Sequence, residues 1–263
     1  MQRARSPFRE GEEGREGAER ARTADRPWDR TATRCLVGLI LGAVASLGWL
    51  WHSHFHAHND ASMYILVARN LLAGEGCTLL GQPFLVRPPG LSVLLMPLLA
   101  IWGTNFGVLN LFVNLFGIGA IALLFVFVRR RIGSGLAVCL AAGLWINPGF
   151  RVLCNQVMSD VPGLALGLLC LVLERHWRTS GRVHSVGLGV LIGVSALVRT
   201  MNALIVPAVL VSACLERRSG ALGRALLIAL GTFAILAPWE LVKARTEIRT
   251  PCLLYTSPSP RDS

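Results

Sequence analysis

The sequence predicts an all-α fold, a polytopic transmembrane helical bundle of about seven spans with a few helices at the membrane surface. Hydrophobic residues make up 53% of the 263 residues and charged residues 16%, whereas a soluble domain carries about 25% charge. The net charge of +11 comes largely from arginines in short groups between apolar runs, a pattern typical of membrane topology. Because these arginines do not share one soluble face, the pattern argues against nucleic-acid binding.

Both ends of the sequence are predicted to lie outside a membrane domain that covers residues 34–250. Residues 1–33 are rich in arginine and acidic residues without apolar periodicity, which is typical of a disordered cytoplasmic tail. Residues 252–262, CLLYTSPSPRD, look like the translation of a sequencing-library transposon adapter, with a Ser-Pro linker as the alternative. We therefore expect residues 251–263 to be an artefact and the chain to be a truncated, inactive N-terminal fragment.

The first span is predicted at residues 35–51, a continuous apolar run close to the ~20 residues that cross a bilayer. Basic residues favour the cytoplasmic side, so Arg34 predicts that this span runs outward and that the loop at residues 52–90 is extracytoplasmic. In this loop, Asn59 or Asp60 is expected to cap a helix that stops at Gly74. Its apolar residues recur on one face over only about four turns, which favours a helix lying on the membrane surface.

The next apolar runs differ in length and therefore in their predicted relation to the bilayer. Residues 91–102 are too few to cross unaided and are expected to form a re-entrant or surface helix. Residues 108–128 form a span that returns the chain to the cytoplasm, where the arginine triplet 129–131 follows. Residues 136–146 then run outward and residues 161–173 inward, both short enough to need local thinning of the bilayer.

The last third of the chain is predicted to hold three further spans. Residues 186–215 would be about 45 Å long as one helix at about 1.5 Å per residue, so they must form two spans with an outward-facing break near residues 199–202. Residues 225–239 lead outward again. This topology places four core arginines outside, at positions 69, 87, 151 and 199, and the others in the cytoplasm, at positions 129, 130, 131, 175, 178, 182, 217, 218 and 224.

Pairs of glycines four residues apart predict close helix contacts, although such pairs are common and imply no function. They are Gly38 with Gly42, Gly163 with Gly167, and Gly189 with Gly193.

Four histidines alternate along the start of the outer loop, and they are His52, His54, His56 and His58. In a helix they would form two i,i+4 pairs able to bind a divalent metal. A hydrated loop beside the membrane is the alternative, and it is the explanation that the sequence favours.

Charged residues on the outer side are the candidates for chemistry. The outer carboxylates in the core of the chain are Asp60, Glu75 and Asp160, and Arg87 and Arg199 stand where loops meet apolar runs. A charge costs about 2.5–3.5 kcal/mol at mid-membrane, so charges near spans are usually partnered or functional. Asp60 and Asp160 can face one cavity. The alternative for both is a helix cap, since each stands where a helix is expected to begin.

Several short motifs in a fixed order resemble the membrane half of C-type glycosyltransferases. They are Asp60-x3-Tyr64-x3-Ala68-Arg69-Asn70-Leu71-x2-Gly74, Arg87-Pro88-Pro89-Gly90, Ser159-Asp160-x-Pro162, Leu197-x-Arg199 and Pro238-Trp239. The resemblance covers residues 34–243. It is similar in particular to the family 39 group, with its dolichyl-phosphate-mannose protein mannosyltransferases and lipid A aminoarabinose transferases.

The resemblance implies an inverting transfer of a hexose or pentose from a polyprenyl-phosphate donor to an acceptor outside the membrane. It implies that Asp60 acts as the base, that Arg87 and Arg199 hold the donor phosphate, and that Tyr64 positions substrate. Asp160 matches a second acidic position that helps to bind the acceptor, or a metal in some relatives. One departure argues against protein mannosylation, because Asp60 stands alone where many relatives carry an Asp-Glu pair.

The residues agree with this chemistry on physical grounds. A lipid-linked sugar reaches the outer leaflet, and the sequence contains no glycine-rich phosphate loop of the kind that binds nucleotides. A guanidinium suits a leaving phosphate, and an attacking hydroxyl needs a carboxylate within hydrogen-bonding reach. The expected partners are the bilayer and a glycan, lipid or protein acceptor, with the site facing the periplasm or exterior of the plasma (inner) membrane. A transporter fragment is the alternative, which would favour an internal repeat that the sequence does not show.

Overall fold

The structure is a computed structural model that describes residues 28–54, 59–176, 181–216 and 220–246. The predicted adapter-like tail, most of the predicted disordered tail, and residues His56, His58, Arg178, Arg217 and Arg218 lie outside the described residues.

Within these ranges the chain is almost entirely helical, which confirms the predicted all-α class. The helices are α1 (Arg30–Leu50), α2 (Asn59–Leu72), α3 (Gly90–Trp102), α4 (Phe106–Ile132), α5 (Ser134–Ile146), α6 (Pro148–Cys154), α7 (Asp160–His176), α8 (Arg182–Val198), α9 (Ile205–Glu216) and α10 (Ala221–Arg245). A 3-10 helix, Thr200–Leu204, lies between α8 and α9. A short antiparallel hairpin, β1 (Thr78–Leu79) and β2 (Gln82–Pro83), precedes α3.

Long apolar helices support a membrane location. Among the described residues, α4 and α10 are long and apolar enough to cross a membrane by length and composition. The pair α5 and α6, bent by 66°, would be a third span if the two helices cross as one. The prediction of about seven spans is therefore not confirmed, because α3 and α8 and the segment from the 3-10 helix through α9 are apolar but shorter than a full span.

Helix α1 begins earlier than expected, at Arg30, so the last residues of the predicted disordered tail are helical. Asp29 caps the helix, because its carboxylate accepts a hydrogen bond from the backbone N–H of Ala32 at 2.6 Å. Trp28 covers the guanidinium of buried Arg129, which lies 4.3 Å from the ring centroid. These contacts fix the start of α1 against the end of α4.

Two other boundaries differ from the predictions. Residues 148–154, expected to be outer loop, form α6, and the side chain of Asn147 caps this helix by accepting from the N–H of Phe150 at 3.2 Å. Helix α10 continues past Pro238 to Arg245 instead of ending near Trp239. A proline inside a helix removes one backbone hydrogen bond, and here the helix tolerates that loss.

The predicted break in residues 186–215 is confirmed. Helix α8 ends at Val198, and Arg199 is extended, with φ −145° and ψ 112°. The 3-10 helix then turns the chain into α9. The break lies within the segment predicted from length alone.

The apolar face of α2 packs against protein. The sequence predicted this helix, and its end at Gly74 agrees with that residue's positive φ of 78°. Its buried face contacts buried leucines of α3, and the group consists of Ala61, Tyr64, Ile65, Ala68, Leu91, Leu95 and Leu99. These residues therefore contact α3, and the position of α2 along the membrane surface stays a prediction.

Two of the predicted glycine pairs lie at close helix contacts. A Cβ on Gly189 would overlap the carbonyl oxygen of Ile228, and one on Gly193 would lie 2.6 Å from Cβ of Ile235, so α8 packs closely on α10. Gly163 and Gly167 face the break after α8. Gly38 and Gly42 have open space around them.

Candidate active site

The structure brings the predicted charged residues together as two ion pairs. Nη2 of Arg87 lies 2.8 Å from Oδ2 of Asp60, and Nη1 of Arg199 lies 2.6 Å from Oδ1 of Asp160. Asp60 is in the first turn of α2 and Asp160 begins α7, whereas both arginines stand on irregular backbone. Asp60 and Asp160 thus each have a predicted arginine as partner.

A hydrogen bond links the elements that carry the two carboxylates. Tyr64 follows Asp60 by one helical turn, and its hydroxyl donates to Oγ of Ser159 at 3.1 Å. Ser159 directly precedes Asp160, and both partners of the bond are buried. The family resemblance implied a substrate-positioning role for Tyr64, whereas Ser159 was noted only as part of a motif with Asp160.

Both arginines line one small cavity. Its volume is about 240 Å³. The residues that line it are Tyr64, Val86, Arg87, Pro88, Ser159, Val198, Arg199, Thr200 and Met201. Ligand pockets typically have volumes of about 300–1,000 Å³, so this cavity suits a small anionic group rather than a whole glycolipid. A larger groove, of about 480 Å³ between α1, α4 and α5, is lined mainly by apolar side chains and lacks the charges that chemistry needs.

Close backbone contact positions Arg87. The segment Arg87-Pro88-Pro89-Gly90 leads into α3, and Gly90 lies against the end of α8. A Cβ on Gly90 would overlap the carbonyl group of Leu197 and would lie 2.6 Å from the N atom of Val198. The absence of a side chain at position 90 therefore lets the loop of Arg87 reach the segment of Arg199.

The break after α8 positions Arg199. A Cβ on Gly163 would lie 2.7 Å from Cβ and Cδ of Arg199, so the arginine stem packs on α7. Asn202 closes the arrangement, because its Nδ2 donates to the carbonyl oxygen of Gly163 at 2.8 Å and to Oγ of Ser195 at 2.6 Å. Asn202 was predicted only to mark the edge of the break, without a role in the site. The available sequence signal was an amide side chain at the break. The structure places this segment beside Gly163 and Gly167 of α7.

The helix-cap alternative for the carboxylates is not supported in the part of the chain that the structure describes. There, neither Asp60 nor Asp160 accepts a hydrogen bond from a backbone N–H, and each contacts an arginine instead. Both still lie in a first helical turn, where the helix dipole favours a negative charge. Glu75, the third outer carboxylate, forms no ion pair within the same ranges.

The metal predictions gain no support from the described residues. His52 and His54 have stacked rings with centroids 5.9 Å apart, and their predicted partners lie outside the described ranges. Across those ranges no three His, Cys, Asp or Glu side chains are grouped to hold a metal ion. Asp160 in particular has an arginine rather than further metal ligands beside it.

Comparisons with known proteins show the family and the fold of the chain. A family model described as dolichyl-phosphate-mannose-protein mannosyltransferase matches residues 86–241, more than half of the chain. Among solved structures, the chain is similar to the crystal structure of ArnT from Cupriavidus metallidurans in the apo state, with 19% identity and a TM-score of 0.62. That similarity covers 86% of this chain and 46% of ArnT, so the chain spans a little under half of ArnT's length. A search of curated proteins gave no match.

The family match includes Arg87, Asp160 and Arg199, whereas Asp60 and Tyr64 precede it. The similarity to ArnT shows a shared fold and confirms the predicted membrane fold of the C-type glycosyltransferases. As the sequence motifs predicted, the chain belongs to the dolichyl-phosphate-mannose-protein mannosyltransferase family.

Proposed function

We propose that this protein is a membrane glycosyltransferase that transfers a sugar from a polyprenyl phosphate to an acceptor on the extracytoplasmic side, with inversion. One observation carries the proposal: two arginines line a single small cavity, and the guanidinium of each has a carboxylate at hydrogen-bonding distance. Membership in a family whose description names a lipid-phosphate sugar donor supports the same reaction class.

The arginines suit the leaving group. As the bond between the sugar and the phosphate breaks, the polyprenyl phosphate keeps the electron pair and gains negative charge. Guanidinium groups donate two parallel hydrogen bonds to phosphate oxygens, and a fixed cation stabilises charge that develops in the transition state. Arg87 and Arg199 approach the cavity from different segments, so they can hold the phosphate from two sides.

The carboxylates suit the acceptor. An acceptor hydroxyl attacks the anomeric carbon from the face opposite the phosphate, and its proton passes to a carboxylate acting as general base. We assign this role to Asp60, and we assign acceptor binding to Asp160. The hydrogen bond from Tyr64 to Ser159 holds α2 and α7 together and so sets the separation of the two carboxylates.

The acceptor is a glycan, a lipid or a protein, and the sugar is a hexose or a pentose. A single carboxylate at Asp60, followed by Ala61, favours an acceptor other than protein. The donor requires a bilayer, and the active site faces the periplasm or exterior of the plasma (inner) membrane. The broken helix at Arg199 would also suit a transporter, but the family match favours sugar transfer.

Replacing Asp60 tests the proposal. In membranes containing the full-length protein, Asp60→Asn is expected to lower sugar transfer from radiolabelled polyprenyl-phosphate sugars by about 10²–10⁴-fold, because the general base is lost. The amount of protein in the membrane should stay the same. Glu75→Gln is the matched control, a carboxylate in the same loop with no ion pair among the described residues. Transfer at the wild-type rate by Asp60→Asn would contradict the proposal.

A further inference from the structure

In this structure Arg87, which we propose binds the phosphate, forms an ion pair with Asp60, the proposed base. The guanidinium of Arg87 contacts the carboxylate of Asp60 at 2.8 Å, and this pair is the one polar side-chain contact of either residue among the described residues. While the guanidinium holds Oδ2 of Asp60, that oxygen is not available to an acceptor hydroxyl. Donor binding and base activation therefore depend on the same contact.

The ion pair between Arg87 and Asp60 is accessible to a competing ligand. The Arg87 side chain is 42% exposed and that of Asp60 is 28% exposed, so water and ligands reach both groups. Arg87 stands on an irregular loop and also lines the cavity. A phosphate in the cavity would offer this guanidinium more acceptor oxygens than one carboxylate does.

The second pair is exposed to a similar degree, 37% for the Arg199 side chain and 32% for that of Asp160, but the stem and backbone of Arg199 are held in place. The stem of Arg199 packs on Gly163, and the N–H and carbonyl oxygen of Arg199 bond to Ser195 and Asn202 at 2.9 and 3.0 Å. Arg199 is therefore the fixed cation of the cavity, and Arg87 is the exchangeable one.

We propose that Asp60 is a built-in competitor for Arg87, which the donor phosphate displaces, so that donor binding releases the base and precedes acceptor binding. The proposal rests on the proposed function, because it takes Arg87 as the ligand of the phosphate. The exchange forms and breaks no covalent bond. Arg87 changes its partner from carboxylate to phosphate, and Asp60 becomes free to accept the proton of the acceptor hydroxyl.

The experiment measures binding of farnesyl phosphate, with farnesol as the uncharged control, to the purified 263-residue chain in detergent by isothermal titration calorimetry. Asp60→Asn and Asp60→Ser are both expected to bind farnesyl phosphate about threefold to fivefold more tightly, since a partly exposed ion pair no longer competes. Asp60→Glu should bind as the wild type does, because it keeps the competing charge. Two neutral variants are used so that a folding defect in one does not decide the result.

Asp160→Asn is the matched control for charge, because it removes the same charge from a neighbouring ion pair. It should tighten binding less than Asp60→Asn does, since Arg199 is held in place by backbone contacts. Equal tightening by Asp60→Asn and Asp160→Asn would show a general electrostatic effect and would overturn the competitor role. Unchanged or weaker binding in both neutral Asp60 variants would also overturn it. Arg87→Gln should weaken binding. If it does not, the phosphate assignment in the proposed function fails instead.

Discussion

At the scale of single residues, Gly90 positions the site because it has no side chain. Gly90 allows the loop of Arg87 to contact the backbone of Leu197, two residues before Arg199. Its φ is not in the left-handed region, so the requirement for glycine at this position is steric. The close approach brings both arginines to the same cavity, and an added methyl group would separate them.

Gly90→Ala should lower the stability of the chain by about 1–3 kcal/mol, because the methyl group overlaps backbone atoms that cannot move aside. The measurement is the thermal unfolding temperature in detergent. Gly119→Ala is the matched control, since a Cβ there has no neighbour within 4 Å. Equal unfolding temperatures for the two variants would refute the close contact at position 90.

The sequence predicted which charges matter but not which of them pair. Asp60, Arg87, Asp160 and Arg199 were identified from their predicted outer location and from the family resemblance, and all four lie at the cavity or beside it. The pairing depends on how α2, α7 and α8 approach one another, which local sequence does not determine. Ser159 and Asn202 were missed as site residues because their roles are hydrogen bonds to other elements.

At the scale of elements, segment length predicted one helix break and glycine spacing predicted two close contacts. The break at Arg199 followed from the excess length of an apolar run, and two of three glycine pairs lie at close contacts. One tertiary contact and one local helix cap were not predicted. Helix α2 buries its apolar face on α3, and α6 forms because Asn147 caps it where a loop was expected.

Gly189→Ala should disrupt the packing of α8 on α10, because the methyl group overlaps the carbonyl oxygen of Ile228. Gly187→Ala, two residues away on the same helix, meets nothing within 4 Å. The first change should lower the unfolding temperature by an amount that corresponds to about 1–3 kcal/mol. The second should leave it unchanged or raise it slightly, since alanine favours helix over glycine by up to about 1 kcal/mol. The reverse order would contradict the assigned contact.

At the scale of the whole molecule, the proposed reaction requires the cavity to face the outer side of the membrane. The predicted topology puts the arginine triplet in the last turn of α4 in the cytoplasm and the loop at residues 52–90 outside. The described helices support a membrane location, and the number and direction of the spans stay predictions. The charge pattern is the main basis for the orientation.

Labelling of single cysteines tests this orientation. In a cysteine-free background, Leu80→Cys lies in the hairpin at a position 89% exposed, and Arg131→Cys lies at the exposed end of α4. A membrane-impermeant maleimide added to intact cells should label Leu80→Cys, and label Arg131→Cys only after the cells are opened. Labelling of position 131 alone from outside would invert the topology and place the cavity in the cytoplasm.

The most direct test of the central claim, that Arg87 and Arg199 form one phosphate site, is the affinity of the purified chain for polyprenyl phosphate. Arg87→Gln and Arg199→Gln should each weaken binding by about tenfold or more, because each removes a charge-assisted hydrogen bond. Arg69→Gln, at an exposed arginine on α2 away from the cavity, should bind as the wild type does. Wild-type affinity in the double variant of Arg87 and Arg199 would contradict the account.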